Sequence, residues 1–222
     1  MKLSPETMLL LKSLSNVNQS MKFTKGNTLK TISNNRTIVA QATIKEEFPK
    51  DFCIYSLPSF ISCLTLSNEP ELDFETEDNA VVIKHPNSTL IYRFCVESVI
   101  VTCEKDVKVP PNADLSIVLT KEDISNVMKG ASAISANDLI VACKDGKVTL
   151  EVSDVKHASN KFMLSPSSTM ESNASDCSFN LFVDNLNLFS GDYEVTFWKS
   201  GISHFKNKDV PIEYFIALQG KK

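Results

Sequence analysis

The strongest constraint on the fold is a pair of helix starts with the same chemistry. Residues 3–8 (LSPETM) and residues 119–124 (LTKEDI) agree in residue character at nearly every position. Each has a hydroxyl side chain suited to an N-cap, followed by a carboxylate in the first turn, where the positive end of the helix dipole stabilises it. The two starts therefore predict two equivalent helices, each opening one half of the chain.

Apolar residues continue near helical spacing after both starts. They are Met8, Leu11, Leu14 and Val17 in the first helix, and Ile124, Val127, Met128 and Ala131 in the second. Two shorter helices are predicted at residues 56–64 and 183–189, each directly after a strand. Each half thus has the order helix, strands, short helix, strands.

The remaining segments have the composition of antiparallel sheets. Glycine is scarce, at 6 residues, and β-branched residues are frequent. Runs of β-branched and aromatic residues predict strands at residues 37–44, 80–83, 88–92, 139–143, 148–152, 194–198 and 212–218. Asp145 and Gly146 predict a two-residue hairpin turn, because Asp-Gly readily adopts the positive φ angles that such a turn needs.

A polar stretch with two prolines, residues 104–112, separates the halves and is typical of an exposed linker. We predict an α+β fold of two similar domains at residues 1–106 and 116–222, joined by a linker at 107–115. Each domain is expected to carry its helices on one face of an antiparallel sheet. Many α+β domains alternate helices and strands, so the sequence leaves open that the repeated order is a coincidence.

Composition limits the classes of function. The formal net charge is -4 and the pI is about 5.5, which gives no general sign of nucleic-acid binding but leaves room for a local basic face. The first residues do not resemble a signal peptide, and no apolar stretch approaches membrane-spanning length. We expect a soluble, intracellular protein. The six cysteines form no CxxC pair, so we expect buried thiols in a reducing compartment.

Catalytic motifs are not evident in the sequence. His85 precedes a proline and is predicted in a turn, and His157 and His204 are predicted to be exposed. The acidic run at residues 69–78 suits the solvated face of an edge strand better than a cation site. We therefore expect no catalytic residue, no metal site and no cofactor.

The predicted helices have short polar side chains at the positions expected to be exposed. These are Lys12, Ser13, Asn16 and Asn18 in the first helix, Lys121, Ser125, Asn126, Lys129 and Ser132 in the second, and Ser59, Ser62, Asn185 and Asn187 in the short helices. Lysines in such positions suit contacts with phosphates that do not depend on base sequence. A plain solvated helix face remains the alternative.

Several of these motifs together resemble the sliding clamp of T4-like bacteriophages. They are the opening residues 1–4 before a leucine-rich helix with Lys12, residues 121–124 with Lys129, the hairpin at residues 144–147, and residues 190–193 before the strand with Trp198. The resemblance follows the same order over nearly the whole chain. It implies a DNA-clamp fold and a non-catalytic DNA polymerase processivity factor, at work in the cytoplasm of an infected bacterium.

The resemblance also implies partners. Three subunits would close head to tail into a homotrimeric ring around duplex DNA, with the helices lining the hole. A clamp-loader ATPase would open the ring, the replicative DNA polymerase would dock a short terminal peptide in an apolar pocket, and the loaded clamp would support phage late transcription. No membrane contact is implied.

Two groups of residues follow from the resemblance as candidates. The DNA-facing candidates are Lys2, Lys12, Asn16, Lys121, Ser125, Lys129 and Asn185, and the candidates for the partner pocket are Val107, Val109, Pro110, Ala217 and Leu218. After Lys129 the chain has Gly130-Ala131-Ser132, where the family tends to have an arginine. The alternatives left open are a β-rich phage accessory or structural binding protein, and an enzyme that uses the acidic run and a histidine.

Overall fold

The computed structural model describes residues 1–103, 105–154, 160–166 and 176–220, so that His157 lies outside the described residues. The chain divides into two compact units, Met1–Asp106 and Val107–Lys222. Unit 1 contains α1 (Pro5–Val17), β1 (Met21–Phe23), β2 (Gly26–Ile32), β3 (Ile38–Phe48), β4 (Phe52–Ile54), α2 (Leu57–Leu64), β5 (Glu71–Asp73), β6 (Ala80–His85), β7 (Ser88–Arg93) and a 3₁₀ helix at Glu97–Val99. Unit 2 contains β8 (Leu115–Leu119), α3 (Lys121–Ile134), β9 (Asp138–Lys144), β10 (Lys147–Ser153), β11 (Lys161–Leu164), β12 (Cys177–Phe182), a 3₁₀ helix at Val183–Leu186, β13 (Tyr193–Trp198), β14 (Ile202–Asn207) and β15 (Ile212–Ala217).

Unit 1 contains two antiparallel groups of strands. In the first group, β1 pairs with β4 and β2, and β2 pairs with β3. In the second group, β6 lies between β5 and β7. Leu10, Leu11 and Leu14 bury the inner face of α1. An aromatic cluster fills the core below, where the ring of Phe23 stacks on Phe52 with centroids 4.5 Å apart.

Unit 2 is built in the same order, with one additional strand at its start. β9 pairs with β10 and β12, and β10 pairs with β11. A second group has the order β8, β13, β14, β15. Val127, Gly130 and Ala131 form the inner face of α3. A Cβ atom on Gly130 would lie 2.3 Å from the Phe162 ring of β11, so the ring occupies the space that a side chain would need.

Most of the predicted elements are present. The seven predicted strands correspond to β3, β6, β7, β9, β10, β13 and β15, with ends that differ by a few residues. The α1 and α3 helices begin after the N-caps Ser4 and Thr120, as the sequence predicts. Asp145 and Gly146 have φ angles of 50° and 74°, and Lys144 pairs with Lys147 across the turn, which confirms the hairpin.

The sequence predicts a second short helix at residues 183–189, and this prediction is wrong in both the length and the type of the helix. Only a 3₁₀ helix at Val183–Leu186 forms, and Asn187 ends it with φ -73° and ψ 64°. Asp184, Asn185 and Asn187 explain the difference, because their side chains compete with helical backbone bonding. The strand β8 begins at Leu115, inside the predicted linker at residues 107–115. The assignment of that linker stays a prediction.

The structure corrects three further expectations, for the cysteines, His204 and His85. All six cysteines are thiols, but only Cys53 and Cys143 are buried and the other four are half-buried. His204 is not exposed, because its ring stacks on Phe215 at 4.4 Å and its Nε2 lies 2.7 Å from Glu213 Oε2. His85 ends β6 rather than lying in a turn, and its Nδ1 lies 2.7 Å from Ser67 Oγ.

Candidate nucleic-acid interface

The exposed face of α1 is a narrow stripe. Leu9, Lys12 and Asn16 are exposed and recur at helical spacing, whereas Leu10, Leu11 and Leu14 face the core. The predicted exposure of Lys12 and Asn16 is confirmed. Two neighbours in the same prediction are wrong, because Ser13 and Asn18 are buried. Asn18 turns inward because its Nδ2 donates to the carbonyl of Ile32 at 2.7 Å.

The N-terminus of α1 is tied to β3 through Glu46. Ser4 N–H donates to one carboxylate oxygen of Glu46, and Thr7 Oγ1 donates to the other at 2.6 Å. Burial alone would raise the pKa of Glu46, but the hydrogen bonds from Thr7 and Ser4 outweigh it, and the net shift is downward. Glu46 therefore stays ionised beside the positive end of the α1 dipole and fixes where the helix begins.

Two lysines close to the start of α1 are neutralised by carboxylates. Lys2 Nζ lies 2.8 Å from Glu69, and Lys45 Nζ lies 2.7 Å from Glu6. The Glu69 carboxylate raises the pKa of Lys2, by hydrogen bonding first and by charge second. Both lysines are solvent-exposed, so these pairs can open at little cost. While the pair is closed, the Lys2 ammonium is less available to an anionic partner than that of Lys12, which forms no ion pair in the described part of the chain.

α3 carries its N-terminal stabilisation within its own sequence. Thr120 and Asp123 form a capping box, in which each side chain accepts a hydrogen bond from the other's backbone N–H, at 3.1 Å and 2.9 Å. Lys121 N–H donates to Asp192 Oδ1 at 2.8 Å. An open depression of about 440 Å³ here is lined by Thr120, Lys121, Glu122, Ser125 and Asp192. The structure thus brings two of the DNA-facing candidates, Lys121 and Ser125, together.

The exposed face of α3 carries two lysines and one glutamate, Glu122, where that of α1 carries one lysine. Lys121 and Lys129 are exposed, and Ser125 is half-buried. Lys12, Lys121 and Lys129 form no ion pair with another residue in the described part of the chain. These three ammonium groups are the cations of the two helix faces that remain available for an anionic partner.

Asn185 does not belong to this surface, and its predicted exposure is wrong. Only 9% of the residue is exposed, and its Nδ2 has no hydrogen-bond partner among the described residues. The 3₁₀ helix that carries it packs against α3, which turns the amide inward. A full α-helix at residues 183–189, on which the prediction rested, would have presented different positions to solvent.

Within the acidic run at residues 69–78, Glu71–Asp73 form the strand β5, and Glu71, Glu75 and Asp78 are exposed. β5 lies at the end of the order β5, β6, β7, as predicted. Lys84 Nζ lies 2.7 Å from Asp73 and lowers the pKa of that carboxyl, with help from the N–H groups of Glu75 and Thr76. No group of three or more His, Cys, Asp or Glu residues is arranged to hold a metal ion among the residues that the structure describes.

Comparisons with known proteins agree over both units. Residues 4–102 match the family model "DNA polymerase processivity factor", and residues 116–220 match "gp45 sliding clamp, C terminal". Together the two models span nearly the whole chain. The chain belongs to the sliding-clamp family.

Relatives of this clamp match along their full length. The sliding clamp of Vibrio phage KVP40 is 29% identical over 99% of both chains, and that of Escherichia phage RB69 is 27% identical over 99% of this chain and 97% of its own. The sliding clamp of Enterobacteria phage T4 is 24% identical over the same shares. The chain is thus similar to sliding clamps of T4-like phages, as the sequence motifs indicate.

Solved structures show the same fold at much lower identity. The proliferating cellular nuclear antigen (PCNA) of Entamoeba histolytica matches with a TM-score of 0.69 and 15% identity, over 99% of this chain and 98% of that one. The A. fulgidus PCNA bound to the C-terminal region of FEN-1 matches with a TM-score of 0.72 and 12% identity, over 100% and 98%. These matches confirm the predicted clamp fold.

The candidates for a partner pocket on this clamp lie on two segments of unit 2. Val107 is half-buried, Val109 and Pro110 are exposed, and all three precede β8. Ala217 ends β15, and Leu218 N–H donates to the carbonyl of Gly201 at 2.8 Å. Their role in binding a partner stays a prediction. None of the helices in the described part of the clamp is long and apolar enough to cross a membrane.

Sequence reasoning missed two features of the clamp's helix faces. Leu9, which is 53% exposed, and Met128, at 36%, are apolar residues on the outer faces of α1 and α3. The run Leu9-Leu10-Leu11 contains the signal for the first, because three consecutive helical residues span about 200° and cannot all face one core. The carboxylates that neutralise Lys2 and Lys45 had no comparable signal.

Proposed function

We propose that this clamp forms a homotrimeric ring that encloses duplex DNA and tethers the replicative DNA polymerase as a non-catalytic processivity factor. The observation that carries the proposal is the match of both units to clamp families, combined with two matched helices that present Lys12, Lys121 and Lys129 without ion-pair partners among the described residues. A topological link would hold the polymerase on DNA without tight binding. Contacts with the duplex should then be few and directed at phosphates.

The sparse charge on the helices suits a ring that slides. Two of the nearby lysines are paired with carboxylates, and the outward polar residues Asn16 and Ser125 can approach phosphates without fixing a register on the bases. Strong base contacts would hold a protein at one sequence. The net charge of -4 would keep DNA away from surfaces other than the helix faces.

Two exposed sheet edges support assembly of copies into a ring. β7 ends the order β5, β6, β7, and its Ile91 is 49% exposed. β11 ends the order β11, β10, β9, β12, and its Met163 is 60% exposed. Unpaired edges with apolar side chains are hazards that proteins normally cover. We propose that β11 of one copy pairs with β7 of the next, which is a heterologous contact and can close into a ring.

The remaining partners follow from membership of the family. We propose that a clamp-loader ATPase opens the ring, and that the polymerase docks a terminal peptide near Val107, Val109, Pro110, Ala217 and Leu218. The loaded clamp would also support phage late transcription. Because the relatives are phage proteins, the site of action would be the cytoplasm of an infected bacterium.

Sedimentation of the purified chain tests the ring, and primer extension with the loader and polymerase tests its function. We expect a trimer and longer products per binding event. Met163→Lys, which places a charge on the exposed side of β11, should shift the trimer towards monomer, whereas Lys206→Met on β14 should not. A stable monomer at tens of micromolar, together with products of unchanged length, would overturn the proposal.

A further inference from the structure

Two cysteines of unit 2 stand directly opposite each other on neighbouring strands. Cys143 of β9 and Cys177 of β12 are paired residues in the antiparallel register. Paired residues of this kind point to the same face of the sheet, with Cα atoms about 4.5–5.5 Å apart. A disulfide accepts Cα separations of about 4.4–6.8 Å. The backbone already holds the two thiols at a separation that a disulfide can span.

The two thiols differ in their access to solvent. Cys143 is 2% exposed and lies on the inner face of β9 with Val141. Cys177 is half-buried at the first position of β12. A small reagent in solution can therefore reach Cys177, whereas Cys143 is shielded from solvent and faces Cys177 across the strand pair.

The other cysteines lack this arrangement. Cys95 N–H donates to the carbonyl of Cys53 at 3.0 Å, but Cys95 follows β7 and no strand register aligns the two side chains. Cys63 lies on α2, and Cys103 Sγ contacts the carbonyl of Lys105 at 3.4 Å. Cys143 and Cys177 are thus distinguished from the other cysteines by lying directly opposite each other on paired strands.

We propose that Cys143 and Cys177 are a modification site, where a reversible disulfide forms when the clamp meets a low-molecular-weight disulfide such as oxidised glutathione. The Cys177 thiolate attacks one sulfur of oxidised glutathione, one glutathione leaves, and Cys177 carries a mixed disulfide. Cys143 then gives up its proton and attacks the Cys177 sulfur, and the second glutathione leaves. Two electrons and two protons pass from the protein thiols to the two glutathione molecules.

The surroundings of Cys177 set the conditions for this reaction. Burial raises the pKa of the Cys177 thiol, and the neighbouring Cys143 adds to the shift. The thiolate that attacks is therefore scarce at neutral pH, and the rate of the first step should rise with pH. The pair should stay reduced in a reducing cytoplasm and become linked when the balance shifts towards disulfides.

Linkage would close a loop that contains β10 and β11. Closing a loop of this length restricts the unfolded chain and raises Tm by roughly 5–10 °C for a protein of this size. The bond would also hold β12 against β9 at the end where the pair lies. Reduced glutathione in excess should reverse both effects.

The full-length chain is incubated with oxidised glutathione, quenched by alkylation, digested and mapped by mass spectrometry. We expect one linked peptide pair that joins Cys143 to Cys177 and is two hydrogens lighter than the separate peptides. In Cys143→Ala the adduct on Cys177 should persist, one glutathione heavier, because the resolving thiol is gone. In Cys177→Ser, Cys143 should stay unmodified, and Cys63→Ser should leave the link intact.

Three results would overturn the proposal. They are wild-type protein that reaches redox equilibrium with no Cys143–Cys177 link, a link between other cysteines in its place, and a Cys177 adduct that persists in wild type as it does in Cys143→Ala. The peptide map of the wild-type protein does not depend on the folding of any variant, so it tests the proposal by itself. The result does not depend on ring formation, because neither the reagent nor the readout involves DNA or a partner.

Discussion

Units 1 and 2 share one order of elements but start it differently. Unit 2 opens with a five-residue strand, β8, which pairs with β13. At the corresponding place in unit 1, Met1 exchanges two hydrogen bonds with Leu72 of β5, at 2.6 Å and 2.7 Å. The contact on this edge of β5 is thus one antiparallel bridge, where β13 of unit 2 pairs with five residues of β8.

The N-termini of the two long helices are also stabilised differently. α3 closes its N-terminus with the Thr120–Asp123 capping box, whereas the Ser4 cap of α1 is completed by Glu46 of β3, 42 positions away along the chain. The inner faces differ as well. Leu14 and Gly130 both lie ten residues after their N-caps, and Phe162 of β11 fills the space above Gly130. In unit 1 a helix side chain, Leu14, fills the space between helix and sheet, whereas in unit 2 a sheet side chain, Phe162, fills it.

The largest effect is expected for Leu14→Ala in α1. Leu14 is fully buried, so the substitution leaves a cavity and should lower the free energy of unfolding by about 2–5 kcal/mol. Urea denaturation followed by circular dichroism measures the change. Leu9→Ala, the same substitution on the exposed face of the same helix, is the control and should cost less than about 0.5 kcal/mol. Equal losses in both variants would show that α1 is not oriented as described.

The reciprocal change, Gly130→Leu, should destabilise by about 2–3 kcal/mol through overpacking against Phe162, although leucine favours a helix more than glycine. Ser132→Leu, on the exposed part of α3, is the matched control and should be nearly neutral. The double variant Gly130→Leu with Phe162→Ala should recover part of the loss, since the new side chain takes the place of the ring. Additive losses in the double variant would contradict this packing.

Glu46→Gln should cost about 1–2 kcal/mol at pH 7, because the carboxylate that accepts from Ser4 and Thr7 becomes a weaker acceptor. The folded protein lowers the pKa of Glu46, so its contribution is complete above the unfolded pKa and is lost as pH falls through the folded pKa. Unfolding midpoints measured from pH 7 to pH 3 should therefore converge for wild type and variant. Glu47→Gln, on the exposed neighbour, should show no such convergence.

Local patterns explain which parts of the molecule the sequence predicts. The α3 start and the Asp145-Gly146 hairpin are predictable because their main signals, the capping box and the Asp-Gly turn, are local, although Asp192 and Asp176 add hydrogen bonds from distant positions. The Glu46 anchor and the Lys2–Glu69 pair join residues 42 and 67 positions apart, so no local pattern indicates them. Asn185 was misplaced for a related reason, since its direction depends on whether residues 183–189 form an α-helix or the observed 3₁₀ helix. The sequence thus indicates Lys2 as a candidate but not Glu69, the carboxylate that pairs with it.

The smallest effects concern the lysines that we propose face DNA, where paired and unpaired cations can be compared. Each phosphate contact that is lost should reduce the slope of log affinity against log salt by about 0.9. In a trimer the two substitutions Lys12→Ala and Lys129→Ala remove six lysines, so together they should flatten the salt dependence of retention on circular DNA by up to about 5.4. Lys2→Ala should change it less, because Lys2 is already paired with Glu69 and releases fewer counterions on binding.

The same variants separate DNA contact from assembly. Sedimentation should show that all of them keep the oligomeric state of wild type, since Lys12 and Lys129 lie on helix faces, Lys2 precedes α1, and none of them lies on β7 or β11. An unchanged slope in the double variant would remove Lys12 and Lys129 from the DNA-facing set. A larger change for Lys2→Ala than for Lys12→Ala would mean that the Glu69 pair opens on DNA. The start of α1, where Lys2 and Lys45 are paired with carboxylates, would then be the part that contacts the phosphates.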